Sequence, residues 1–284
     1  MLKQRILTAI VLLAILLPAL FYPSPLPFCA IALVMMAAGA WEWGRLNGCS
    51  GAGAVGLALA CVVLCAGSWA LGALGRPLPL VWTVGGALWV LAGAALLRAG
   101  VAGWPRLPRA LRLVAGVLAL WLAWLAVAQA RVIGPNFLLS VLVLVWVADI
   151  GAYFAGRAFG LRFTRAKLAP SISPGKSWEG VWGGMVGVLV LALAWVAADT
   201  YLQASVPSFY SELASHGWWL LVLAVVFLAA MSVAGDLIES LVKRSAGAKD
   251  SSQLLPGHGG VLDRVDALLP TLPLAMMLST LLRA

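Results

Sequence analysis

Acids are scarce in this chain: ten Asp and Glu among 284 residues, with Glu42 alone before Asp149. Charged residues of either sign make up 10% of it, far below the ~25% of a soluble domain. A soluble globular fold is excluded on that ground. Histidine occurs twice and cysteine four times. Cys29, Cys49, Cys61 and Cys65 form no Cys-x-x-Cys pair and have no His nearby, which argues against a thiolate metal centre or a redox pair. Period-two alternation is absent, so a membrane barrel is excluded as well.

What fills the chain is apolar: 63% of it. Apolar runs recur along its length, close to the roughly 20 residues that cross a bilayer as a helix. Backbone groups in lipid must be satisfied internally, so these runs are expected to be helices. The expected class is an all-α integral membrane protein of about nine spans. They fall near 6–22, 27–41, 54–74, 80–97, 113–130, 136–156, 180–198, 217–240 and 266–282. With the N-terminus cytoplasmic and the C-terminus external, 16 of the 19 Lys and Arg lie in cytoplasmic segments, as the positive-inside rule requires. Arg76, Arg131 and Arg283 fall outside them. The net charge of +9 is therefore topology, not a nucleic-acid surface. The basic start and first apolar run resemble a signal peptide. No small-x-small site follows directly, and an uncleaved first helix is expected.

Chemistry is unevenly spread. Residues 1–135 read as a helical membrane region for scaffold, oligomer or lipid contacts and 136–284 as the catalytic region. In the first part, Glu42 lies between Trp41 and Trp43 and reads as an interfacial residue in an aromatic belt. Gly51-Ala-Gly-Ala-Val-Gly56 follows no strand, so helix packing by small residues is the expectation. Arg106, Arg109 and Arg112 read as topology determinants, with anionic headgroups as an alternative.

From the sixth span onward the polar residues gather. Asp149 lies in an apolar run, about 20 Å along the span. An acid there is costly and marks a site, or else pairs with an Arg. Tyr153 is one turn on, on the same face. The loop Ser171–Gly180 contains Gly-Lys-Ser, but Pro170 stands where a P-loop needs its first Gly and no strand is expected before it. Small hydroxyls, a Lys and a helix N-terminus can still hold phosphate. Gly183 and Gly187 have helix-packing spacing. The external segment 199–216, with Asp199, Glu212 and His216, reads as an ordinary loop. Span eight ends with Asp236, Glu239 and Ser240 on one face. Between Ser240 and Asp266, four basic residues, three acids, a His and four Gly fall within 27 residues. Asp263 and Asp266 then open the last span, where one Asp would suffice as a helix cap.

The topology brings Asp149, Glu179, Asp236, Glu239, Asp250, Asp263 and Asp266 to the cytoplasmic end, among many cations. Oxygen ligands without a Cys or His cluster favour a hard cation such as Mg²⁺, bound by one or two carboxylates and completed by substrate phosphates. Lys and Arg hold the remaining phosphate charge. The pattern reads as metal-assisted phosphoryl or nucleotidyl transfer at a membrane surface.

The stretch Ser240-Leu-Val-Lys243-Arg244, four residues, Lys249-Asp250, then His258-Gly259-Gly260-Val-Leu-Asp263-Arg264-Val-Asp266 resembles the signature of phosphatidate cytidylyltransferases. Asp149-Ile-Gly-Ala-Tyr153-Phe-Ala-Gly156-Arg157 and Ser173-Pro-Gly-Lys176-Ser-Trp-Glu179-Gly180 are also similar to that family. Gly175 and Ser177 depart from the Lys and Thr of many members. The resemblance implies that CTP and phosphatidic acid give CDP-diacylglycerol and pyrophosphate, in the bacterial inner membrane, with the site facing the cytoplasm. It implies a Mg²⁺ requirement, with a monovalent cation such as K⁺ as a further candidate, and a homodimer. Asp236 and Asp263 are the expected metal ligands, and Asp266, Asp149 and Lys249 further catalytic candidates. Ser173, Lys176, Ser177, Glu179, Lys243, Arg244, Asp250, His258, Gly259, Gly260 and Arg264 are the candidates for CTP or lipid phosphate.

Two rival classes remain. A transporter would use Asp149 as a cation site, but no matching pair of broken helices is visible. A CDP-alcohol transferase needs an Asp-Gly, and none occurs in the chain. A CTP transferase acting on another lipid phosphate stays open.

Overall fold

The computed structural model describes residues 2–283; the side chains of Leu2, Lys3 and Arg5 lie outside the description. Helices α1 (Leu2–Phe21), α2 (Leu26–Leu46), α3 (Gly51–Ala70), α4 (Pro79–Ala99), α5 (Arg109–Ile133) and α6 (Pro135–Phe159) come first. A hairpin of β1 (Lys167–Ala169) and β2 (Ser173–Ser177) follows, then α7 (Trp178–Tyr201), α8 (Phe209–His216) and α9 (Trp218–Ser245). Short α10 (Leu262–Val265) leads into α11 (Leu268–Arg283).

Among the described residues, eight helices are long and apolar enough to cross a membrane: α2 to α7, α9 and the segment Leu262–Arg283. The expected first span is a helix too, but its apolar stretch, Ile6–Phe21, is shorter than those eight. The helix starts follow local chemistry. Proline opens α4 and α6 and stands in the first turn of α2, where its missing N–H is not needed. Ser50, Ser177 and Ser208 accept backbone N–H bonds at the starts of α3, α7 and α8.

Helix α5 is the hub, buried almost without interruption from Leu120 to Arg131. Helices α2, α3, α6 and α11 pack around it, α9 packs on α11 and α7, and together they bury Trp124, Phe137, Leu144, Leu228 and Leu274. Helices α3, α4 and α7 turn most of their surface outward, as lipid-facing helices do. Helices α6 and α7 lie very close together. A Cβ on Gly184 would come within 2.6 Å of the Ala148 carbonyl oxygen, and one on Gly180 within 2.9 Å of that of Ala152. Small residues let the two backbones meet.

Several expectations change. Gly183 makes the expected close approach, a Cβ there falling 2.1 Å from Ala155 Cβ, and Gly180 and Gly184 join it, while Gly187 makes only an ordinary contact with Val147. Gly51 and Gly56 have nothing within 4 Å and pack no helix within the chain. A strand does precede the Gly-Lys-Ser segment: β1 pairs antiparallel with β2, and residues 173–177 are themselves extended. The external segment is not an ordinary loop. Helix α8 buries Phe209, Tyr210 and Leu213 completely, and Asp199 accepts from Asn136, the Ser208 N–H and Ser211. Arg109 is more than a topology charge: it donates to the carbonyls of Asn47 and Gly48 at the end of α2.

Candidate active site

The C-terminal ends of α2, α6 and α9, the hairpin, the start of α7 and the loop before α10 meet at one end of the bundle. Two layers form there. The open layer is a cavity of about 430 Å³ lined by Asp149, Tyr153, Arg157, Lys176, Ser177 and Asp236, among others. Lys176 donates to Asp236 Oδ2 at 2.5 Å, and both side chains are 27% exposed. Ser240, one turn on, donates to Asp236 Oδ1. Asp149 faces the same cavity and makes no hydrogen bond among the described residues. It is coupled electrostatically to Asp236, Lys176 and Arg264. Asp266 lies within electrostatic reach of Asp236, Asp149 and Lys243. Arg157, at the last turn of α6, lines the cavity and donates to Tyr153 Oη at 3.1 Å.

The second layer is closed. Helix α9 runs on to Ser245, past the expected end of its span, and so carries Lys243 one turn beyond Glu239. Lys243 ion-pairs with Glu239 and donates to Asp263 Oδ1 at 2.6 Å. Asp263 Oδ2 accepts from the Ser251 and Gly260 N–H groups and from Ser251 Oγ, all within 2.9 Å. A turn of α9 thus has two working faces: Asp236 and Ser240 toward the cavity, Glu239 and Lys243 toward the loop. Burying a charge is costly unless it is paired and hydrogen-bonded, and Lys243 answers two carboxylates at once.

Glu42 belongs to this closed layer. It is not an interfacial residue: its exposure is 0%. Its carboxylate accepts from the hydroxyls of Ser251 and Ser252 and from the N–H groups of Val261 and Leu262. Its neighbour Trp43 is turned inward too and donates to the Arg112 carbonyl.

The remaining candidates divide. Glu179 is buried and its Oε1 accepts from Phe163 N, Thr164 N and Thr164 Oγ1, which fastens the turn before the hairpin. Ser173 sits in register with Ala169 at the far end of the hairpin from Lys176. Arg244 reaches the Ile172 carbonyl and ties that hairpin to α9. Ser177 lines the cavity and caps α7. Lys249, Asp250 and Arg264 are exposed around the loop. His258 Nδ1 is buried without a partner among the described residues. Gly259 has φ of 81°, a conformation that favours glycine; a Cβ there would meet Asp263 Oδ2 at 2.8 Å. Arg157 and Glu42 are the two residues that sequence reasoning passed over. Arg157 closes the segment Asp149–Arg157, and a cation at a span end has the pattern of a topology charge.

Among the described residues, no three His, Cys, Asp or Glu side chains come together as a protein-only metal site. A Mg²⁺ completed by substrate phosphates needs only one or two carboxylates. Asp149 and Asp236, oxygen donors on one cavity, fit that requirement. Asp263 fits it less well, because both its oxygens already serve four protein donors.

A cavity at one end of the spans, lined by Asp149, Arg157, Lys176 and Asp236, has the cations to hold a phosphorylated substrate beside the bilayer. The comparisons narrow this. Residues 3–282 match the model of the Cytidylyltransferase family. The chain is 40% identical over 282 residues to a phosphatidate cytidylyltransferase of Pseudomonas aeruginosa, covering 96% of this chain and 95% of that one. It is 51% identical over 140 residues to the enzyme of that name from Haemophilus influenzae, covering 49% of this chain and 44% of that one. With the one from Bacillus subtilis the identity is 39% over 148 residues, 52% of this chain and 49% of that one. This chain belongs to the cytidylyltransferase family.

Proposed function

We propose that this chain transfers the cytidylyl group of CTP to phosphatidic acid, giving CDP-diacylglycerol and pyrophosphate, at the cytoplasmic face of the bacterial inner membrane. The observation that carries the reading is the cavity itself: Asp149, Lys176, Arg157 and Asp236 around one space, at the edge of the spans. Family membership and the names of the relatives support the chemistry. The charge distribution supports the orientation, with 16 of 19 Lys and Arg in segments at the site's side of the bilayer.

A phosphate oxygen of the lipid attacks the α-phosphorus of CTP. The bond from that phosphorus to the α–β bridging oxygen breaks, and pyrophosphate leaves with the electron pair. The lipid phosphate is already anionic near neutral pH, its second pKa being about 6 by analogy with phosphoamino acids. A strong general base is not needed. The obstacle is repulsion between two anions, which fixed cations and positioning overcome. Lys176, on the cavity wall, is released from Asp236 toward an arriving phosphate. Arg157, beside Tyr153 at the rim, takes the lipid headgroup, since a guanidinium binds phosphate in a fork. Arg264 adds positive charge near Asp149.

Asp236 and Asp149 are the residues that would hold Mg²⁺, with Asp266 behind them; Asp263 serves the loop. Bound there, the ion would neutralise phosphate charge. Residues 1–135 act in this reading as scaffold and loop support, and 136–284 carry the chemistry. Assembly as a homodimer is part of the reading.

The test is CDP-lipid formation from CTP and phosphatidic acid by purified protein in detergent, with Mg²⁺ and with EDTA. Activity that disappears in EDTA and in folded D236N is the expected result. Activity that survives EDTA removes the metal from the reading. A wild type that makes no CDP-lipid from phosphatidic acid, but does so from another lipid phosphate, moves the acceptor and keeps the family chemistry.

A further inference from the structure

The loop Ser251–Leu262 lies among the groups read as phosphate contacts. Lys249 and Asp250 precede it, His258 is in it and Arg264 follows it. Gly257 and Gly259 both have positive φ, 77° and 81°, and the loop's internal bonds include Leu255 N–H to the Gly259 carbonyl, His258 N–H to the Leu255 carbonyl and Leu254 N–H to Ser252 Oγ, which close its tip and its entry.

What joins its two limbs comes in part from the other half of the chain. Each oxygen of Glu42 takes one donor from either limb of the loop. Oε1 accepts from Ser252 Oγ and Val261 N, and Oε2 from Ser251 Oγ and Leu262 N. The carboxylate therefore clips the entry of the loop to its exit. Gly260 makes room for it: a Cβ there would fall 2.4 Å from Glu42 Oε1 and 2.0 Å from Ser251 Oγ. Asp263 repeats the pattern from the exit side, taking the N–H groups of Ser251 and Gly260. Ser251 has one hydroxyl proton and reaches both Glu42 and Asp263, so Glu42 has three donors of its own and a share of the fourth; such a set suits a carboxylate, which accepts at both oxygens and donates nothing. An amide would turn its NH₂ toward a backbone N–H whichever way it was flipped.

We propose that Glu42 is a positioning residue of the transferase site: it touches no substrate, and by clamping both limbs of the Ser251–Leu262 loop it sets the affinity for the nucleotide triphosphate. This rests on the cytidylyl-transfer reading above.

The variant is E42Q, which keeps volume and reach. In folded, detergent-purified protein it is expected to raise KM for CTP about tenfold and leave KM for phosphatidic acid within about twofold, tenfold corresponding to 1.4 kcal/mol. Amide exchange at Val261 and Leu262 rises with it. S252A removes one donor from the opposite side and gives a smaller increase. The double variant falls short of the sum, as side chains in contact do. An E42Q protein with only a lower thermal midpoint, and with wild-type KM values, makes Glu42 a fold residue and overturns the proposal. So does wild-type exchange at Val261 and Leu262. Where E42Q gives no folded protein, S252A carries the same KM and exchange readouts, with no change in either as the overturning result. Absence of CDP-lipid synthesis in the wild type would instead remove the transfer reading. The exchange measurement would then still decide whether Glu42 holds the loop.

Discussion

The two ends of the bundle spend their acids differently. At the far end, Asp199 has three donors and Glu212 is gripped by Ser279 and by Arg283 through two nitrogens, at 2.6 and 3.1 Å. Every carboxylate oxygen of these two acids has a donor among the described residues. At the site end, Asp149 has no hydrogen bond among the described residues. Asp236 keeps only a half-open Lys176 and a long bond from Ser240. The closed layer under the cavity, Glu42 and Asp263, resembles the far end although it lies beside the site. In a membrane protein the position of an acid does not say what it does. The count of its protein donors separates acids that hold the fold from acids that await a substrate.

The sharpest test of that contrast is D236N. The variant removes a cavity charge while leaving a side chain of equal size, and CDP-lipid formation is expected to fall about 10²–10³-fold, the scale of losing one preorganised electrostatic group. Its thermal midpoint should stay near that of the wild type. A large loss of midpoint with little loss of activity would place Asp236 with the far-end acids and break the comparison. G260A comes next. Its Cβ would overlap Ser251 Oγ at 2.0 Å, and overpacking of this kind costs about 1–3 kcal/mol or more. Both the midpoint and the CTP affinity should drop, because this closed layer supports fold and site together. A G260A protein with the wild-type midpoint and CTP affinity would show that the closed layer tolerates displacement.

Much of this arrangement was readable in the chain. Apolar runs located the spans, and the density of charge between Ser240 and Asp266 located the end of the bundle where polar side chains gather. Asp149 was legible because an isolated acid in an apolar run is conspicuous. Glu42 was not, for a physical reason. Its four donors lie 209 to 220 positions away, and a carboxylate flanked by two Trp residues has the local pattern of an interface. The available signal was its solitude, a single acid in the first 135 residues. Asp263 and Glu179 were legible as polar but not as engaged, because two donors to each are backbone N–H groups, which every sequence contains. Helix α8 had a signal that composition hid. Ser208 stands before Phe209, Tyr210 and Leu213, an N-cap followed by an apolar face at helical spacing.

Arg157 sharpens the comparison within the site itself. If it holds the lipid headgroup at the rim, R157Q should raise KM for phosphatidic acid about tenfold, or 1.4 kcal/mol, and leave KM for CTP nearly unchanged. That is the reverse of the pattern expected for E42Q. A rise in KM for CTP alone would move Arg157 to the nucleotide.

The smallest effect on catalysis is expected from the far end, where D199N attacks an acid with three protein donors. Its Oδ2 serves the Ser208 N–H and Ser211, and its Oδ1 serves Asn136, whose own Oδ1 already accepts from Trp195. An amide at 199 must set its NH₂ against one of these donors. Leaving a buried donor unmatched costs about 1–3 kcal/mol, so the thermal midpoint falls. Asn136 and Asp149 are 13 residues apart on α6, roughly 20 Å at 1.5 Å per residue, and both KM values and the turnover of folded protein should stay within about twofold of wild type, under 0.5 kcal/mol. If D199N instead lowered turnover without lowering the midpoint, the two ends would be coupled through α6 and α7. Their close glycine-lined packing is the physical route such coupling would take.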